Sequence, residues 1–411
     1  MAILEGNSDE DLGVIDHRHA SIRPMRFVRC AASVTVTLMV AIALPACSAA
    51  AHSHGTPLGT SDTLSGRDSL TARQAQSAST PGARTPGNPH GHAYVPPAAR
   101  AVSTSSPNQV IGDGNPAGCT STAVVSAVAR GGIITFNCGP NPVTITMTAT
   151  AKVVNTSHLV VLDGGGLITL SGGGQRQILY MDTCDQRQIW TTNHCIDQQW
   201  PQLVVQNMNF EDGYSAIKQT PNTPYGGGGG GAIYAEGGQL KVVNSEFINN
   251  RCYSSGPDLG GAAIRAITPW SQSPVYITSD TFIGGVCSNG GALSSIAASW
   301  DVLNSVLENN QAIGWGANPA KPGTPGGGSG GAIYNDGDNY NLSVAGTLIE
   351  NNTAREGGGG IFFVVDNNHG ALTIEDSTLS NNPSGQFFTA GYPGIFFHSS
   401  GRPIVTNSTI N

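Results

Sequence analysis

Glu236, Asp212 and Arg265 are the side chains of this 411-residue sequence best suited to chemistry. Charged residues make up only 11% of the chain, against about a quarter in an ordinary globular protein, so each carboxyl or guanidinium stands out. A carboxyl pair can divide acid and base duties across a glycosidic bond, at about 5–5.5 Å for retention and about 6.5–9.5 Å for inversion. A carboxylate beside a guanidinium could instead take the proton alpha to an acid group that the cation neutralises. Tyr234, Tyr334, Trp315 and Tyr225 offer flat faces on which sugar rings stack. No H-E-x-x-H or C-x-x-C is present, and Gly226–Gly231 is not followed by the Lys-Ser/Thr of a phosphate loop. The net charge of −8 argues against a nucleic-acid partner.

These side chains matter only if the backbone stacks them, and an internal repeat supplies the stacking. Gly-rich starts recur at Gly230-Gly231-Ala232-Ile233-Tyr234, Gly260-Gly261, Gly290-Gly291, Gly330-Gly331 and Gly358-Gly359, with a degenerate start at Tyr392-Pro393-Gly394. Each is followed by a second β-like run, such as residues 242–250 and 301–310, that ends in a small turn. A period near 30 with alternating Val, Ile and Leu describes a solenoid whose coils bury their inner faces on one another. Aligned starts place Tyr234, Arg265, Ser294, Tyr334, Phe362 and Phe396 on one outward row, with Glu236 and Asp336 two residues further on. The long insertions, 253–259, 312–329 and 383–393, all fall between the turn and the next start, where they would wall a groove along that row. Asn250, Asn310, Asn352 and Asn382 recur at one corner, with Gly285 in their place once, and are expected to be structural. Residues 121–129 carry valines at helical spacing and predict a capping helix before the first strand.

The GGA[ILV] starts and Phe247-Ile248-Asn249-Asn250 resemble the repeats of polymorphic outer-membrane proteins, and more broadly the pectate-lyase-like superfamily. The resemblance covers residues 106–411 and implies an all-β, right-handed parallel β-helix with a short N-terminal capping helix. It does not imply one activity, because the fold hosts lyases, hydrolases and adhesins. Glu236 and Asp336 lie three coils apart, about 14 Å at the strand spacing, too far for a carboxyl pair. Asp212, expected on the coil before, could serve Glu236. A uronate lyase would need Ca²⁺ to bridge an acidic surface to an acidic polymer. Two readings stand: an enzyme on an extracellular glycan, of lyase or hydrolase type, and a surface adhesin or envelope-structural protein.

The 55 glycines and 24 prolines exclude a coiled coil or helical bundle, and the glycines cluster too much for collagen. Residues 31–44 form an apolar run of signal-peptide length behind Arg23, Arg26 and Arg29. The run ends in Leu44-Pro45-Ala46-Cys47, which resembles the bacterial lipobox and implies a membrane anchor at Cys47; Met25 is a second candidate start. The expected organisation is a cytoplasmic extension and signal over 1–46, a disordered tether over 47–105, and the β-helix over 106–411. The expected address is the extracytoplasmic face of the cell membrane, with secretion as second choice. In an exported chain the even set Cys119, Cys138, Cys184, Cys195, Cys252 and Cys287 reads as disulfides, sequential pairing being preferred among fifteen.

Overall fold

The computed structural model describes residues 85–189, 194–216, 228–316 and 324–411. Cys47, Tyr225 and the signal segment lie outside them. The described residues form an all-β parallel β-helix: three sheets in which every paired strand runs parallel to its neighbour in the next coil. One full coil shows the plan. Ile233–Glu236 lies in an eight-stranded sheet, Gln239–Val243 and Glu246–Ile248 in a seventeen-stranded sheet, and Arg251–Cys252 in a five-stranded sheet. Short strands separated by corners bury alternate side chains inward, where like stacks on like. Phe210, Phe247 and Phe282 stack with ring centroids 5.0 and 4.7 Å apart, at the spacing of parallel strands.

Pairing of Ile233 with Ile264 and of Ile264 with Leu293 makes the first two repeats 31 and 29 residues long, where the glycine pairs alone suggest 30 and 30. The motif has a steric basis. Gly330, the first of its pair, sits at φ 71°, in the left-handed region that glycine enters at least cost. A Cβ on Gly331 would fall on the carbonyl oxygen of Gly359 in the next coil.

The asparagine corner divides its labour between two neighbours. The left-handed residue is the first of each pair: Asn249, Asn309, Asn351 and Asn381, with φ of 55°, 58°, 57° and 51°. The expected residues, Asn250, Asn310, Asn352 and Asn382, are buried; Asn310, Asn352 and Asn382 form a hydrogen-bonded ladder, while Asn250, separated from them by Gly285, accepts from Gly213 N and donates to Phe210 O. A second ladder, not apparent in the repeat, runs through Ser245, Asp280, Ser305, Thr347, Ser377 and Ser408. Each main-chain N–H donates to the side-chain oxygen of the next coil, at 2.7–3.1 Å. Asp280 replaces the hydroxyl once; burial pushes its carboxyl well above the usual range, opposed by the Ser245 and Thr278 N–H groups.

The predicted helix is Ser121–Arg130, capped by the Thr120 hydroxyl, with Val124 and Val128 buried against the first coils. The disulfides are Cys119–Cys138, Cys184–Cys195 and Cys252–Cys287, the sequential set.

Residues 85–105 depart from the tether that their composition predicts. They form a strap over the seventeen-stranded sheet, passing from the coil of Gly346 to that of Asp163. Asn304 mimics a neighbouring strand: its Oδ1 accepts from Ala93 N at 2.8 Å and its Nδ2 donates to Ala93 O at 3.0 Å. Gln206 grips Val102 in the same two-point way, at 2.8 and 3.0 Å. Between them Lys241 donates to the carbonyls of Ala98 and Arg100, and Ala99 packs with Leu303 and Ala345. Composition misleads here because the sheet's side chains satisfy the strap's backbone, and the strap itself needs few apolar residues.

Candidate functional site

The loop-bearing side lies where the chain passes from the five-stranded to the eight-stranded sheet, as the insertions predict. The row on that sheet has the expected register: Tyr234 pairs with Arg265, Arg265 with Ser294, Ser294 with Tyr334, Tyr334 with Phe362 and Phe362 with Phe396. Its environment is not the expected one. Tyr234, Glu236 and Arg265 are each 0% exposed and Tyr334 is 7% exposed, so they do not floor an open groove. The loops fold onto the row instead of standing beside it. Arg265 donates to the Asp258 carbonyl in one such loop at 3.0 Å, and to the Ser294 hydroxyl. Its Nε has no hydrogen-bond partner among the described residues, and burial lowers its affinity for a proton.

A recurring unit accounts for the acids of this row. The tyrosine of each Tyr-x-acid triplet donates its phenol to the carboxylate two residues on: Tyr180 to Asp182 at 2.6 Å, Tyr234 to Glu236 at 2.7 Å and Tyr334 to Asp336 at 2.9 Å. Residues i and i+2 share a strand face, which brings phenol and carboxylate together. The Tyr180 coil has no Gly-Gly start and so escapes a search for the repeat. The signal was nonetheless present in Leu179-Tyr180-Met181-Asp182, which matches Ile233-Tyr234-Ala235-Glu236 in pattern.

Asp212 is not the partner of Glu236. It stands at φ 51° on the corner beyond strand Gln202–Glu211, on a different sheet, where its main-chain N–H donates to Ile248. The carboxylate beside Glu236 is Asp182, its register partner one coil earlier, with oxygens within 4.8 Å. Cys184 adjoins this pair, but its sulfur is committed to the disulfide with Cys195. Burial raises the Asp182 carboxyl to about 6, against the N–H groups of Cys184 and Asp185 and the Tyr180 phenol that favour the anion.

A folded-state value above the unfolded one of 3.8 means that Asp182 supports the fold fully at low pH. The contribution is lost as pH rises through about 6. Asp182→Asn keeps the oxygen that accepts from Cys184 and Asp185. It is therefore expected to stabilise the protein by about 1–3 kcal/mol at pH 8 and not at pH 4. Urea unfolding at both values checks this; equal shifts at both would mean a packing effect.

The expected sugar-stacking residues divide. Tyr234 and Tyr334 stack within the buried row, on Tyr180 at 5.5 Å and Phe362 at 4.9 Å. Trp315 is 42% exposed, with the Arg355 guanidinium 5.8 Å from its ring centre. Phe388, 54% exposed, lies on the loop of the following coil, where Gly385 and Gln386 bond to Ala354 and Glu356. Searches against family models, curated proteins and solved structures found no match to this chain.

Proposed function

We propose that this is an exported β-helix protein, anchored through Cys47, that binds an extracellular polysaccharide on its loop-bearing side. The observation that carries the reading is the exposed Trp315–Arg355–Phe388 surface, which crosses three consecutive coils. Aromatic faces held on a rigid solenoid suit the apolar faces of sugar rings, and the guanidinium offers fixed donors to hydroxyls. Complete burial of Glu236 and Arg265 favours binding over lyase or hydrolase chemistry at those residues. Among the resemblances read from the repeat, adhesin-type β-helices are therefore the nearer guide.

Affinity electrophoresis against neutral and acidic polysaccharides tests the reading. At least one polymer should retard the protein, and Trp315→Ala should weaken that retardation about tenfold, or about 1.4 kcal/mol. Retardation by none, or an unchanged Trp315→Ala variant, would overturn it. Formation of unsaturated products or new reducing ends would restore the enzymatic alternative. Incorporation of a fatty-acid probe, abolished by Cys47→Ala, tests the anchor.

A further inference from the structure

A chain with net charge −8 has little positive charge to concentrate, yet three of its cations converge on one cavity. The cavity, of about 370 Å³, opens at the N-terminal end of the loop-bearing side and is large enough for a sugar residue. Lys152 enters from strand Ala151–Lys152, Arg176 from the turn before strand Leu179–Asp182, and Arg187 from the short turn Gln186–Gln188. Tyr180 and Tyr214 supply ring walls, and no carboxylate is among the described lining residues.

Each cation is held differently. The Lys152 ammonium lies 5.1 Å from the centre of the Tyr180 ring, an attraction that positions it and leaves its charge uncompensated. Arg176 donates one Nη1 bond to the Thr148 carbonyl, which orients the guanidinium without neutralising it. Arg187 is fixed by a two-point pair with Asp185, Nε to Oδ1 at 2.9 Å and Nη2 to Oδ2 at 3.0 Å. Its charge is therefore largely compensated. Among the described residues, Lys152 and Arg176 are left as the two positive charges facing the cavity. Like charges gathered in one concavity repel each other unless an anion joins them.

We propose that this cavity seats the oxyanion of an acidic sugar, a carboxylate or sulfate ester, with Lys152 and Arg176 as its donors and Tyr214 in the wall beside the sugar. The assignment rests on the polysaccharide reading for the source of the anion, and on the cavity alone for the seat. It also changes what the overall acidity implies. An acidic polymer is repelled by most of this surface and admitted at one place, which fixes where along the solenoid it can bind.

The test is isothermal titration of the full chain with acidic oligosaccharides, their neutral counterparts and, separately, inorganic sulfate. Acidic oligosaccharides should bind at least tenfold tighter than neutral ones. Lys152→Met and Arg176→Met should each remove that advantage while leaving neutral binding at Trp315 unchanged. Unaltered acidic binding in Lys152→Met, which breaks no hydrogen bond in the structure, would overturn the seat. Inorganic sulfate bound as tightly as the sulfated sugar would overturn the sugar as its ligand. Sulfate binding lost in both variants, with no oligosaccharide bound, would keep the seat and overturn the polysaccharide reading.

Discussion

Asn352→Ala is expected to lower the unfolding free energy by about 3–5 kcal/mol, because the residue is buried at the centre of a ladder of three asparagines, between Asn310 and Asn382. Its Oδ1 accepts from the N–H and Nδ2 of Asn310, both at 2.9 Å, and its Nδ2 donates to Leu307 O and Asn382 Oδ1, again at 2.9 Å. Truncation removes all four bonds and leaves buried groups on both neighbouring coils unmatched. Each unmatched group costs about 1–3 kcal/mol, moderated because Asn310 Nδ2 keeps Phe282 O and Asn382 Oδ1 keeps the Asn352 N–H. Asn351, one residue earlier, supplies the internal control. It holds the left-handed conformation, so Asn351→Gly should be nearly neutral. Urea unfolding of the two variants should separate them clearly; equal destabilisation would mean that the corner, and not the ladder, bears the load.

Gly331→Ala is expected to cost about 3 kcal/mol or more, through overpacking. Its new methyl would meet the Gly359 carbonyl and the Thr353 main chain, and neither is the end of a flexible side chain. Relief would require widening a coil spacing that main-chain hydrogen bonds on both sides hold fixed. The same register position in the second coil is Ala262, which shows what accommodation takes. The facing ladder position there is Gly285, and a Cβ on it would crowd the Ala262 methyl. Gly291→Ala should cost as much as Gly331→Ala, because its new methyl would meet the Gly331 carbonyl and the main chain of Gln311 and Asn310. Urea unfolding of the two alanine variants checks this; an unchanged midpoint in either would mean that the coil spacing yields to the methyl.

The repeat made the coil, the row and the loop side legible because each depends on local spacing. Glycine pairs mark starts whose backbone geometry excludes a side chain, and the valine spacing of the helix marks its buried stripe. Burial of the row was not legible. Whether a loop such as 253–259 stands up or folds over Arg265 depends on contacts of its backbone, and composition does not encode those. The Ser/Thr/Asp ladder is hidden in the sequence for a different reason. Small polar residues near a corner look like turn chemistry until their partners in the next coil are known. Asp212 misled because an acid near the repeat boundary invites pairing, while its positive φ commits it to a corner.

The strap couples the two ends of synthesis. Ala93 meets Asn304 across 211 residues and Asn88 meets Gly346 across 258, whereas each coil contacts the one made shortly before it. A solenoid can assemble coil by coil as the chain lengthens, but residues 85–105 cannot complete their contacts until the coil containing Gly346 exists. Made early and docked late, the strap records that the coils from Asp163 to Gly346 have stacked in register. A slipped coil would put its two grips, at Gln206 and Asn304, at the wrong separation.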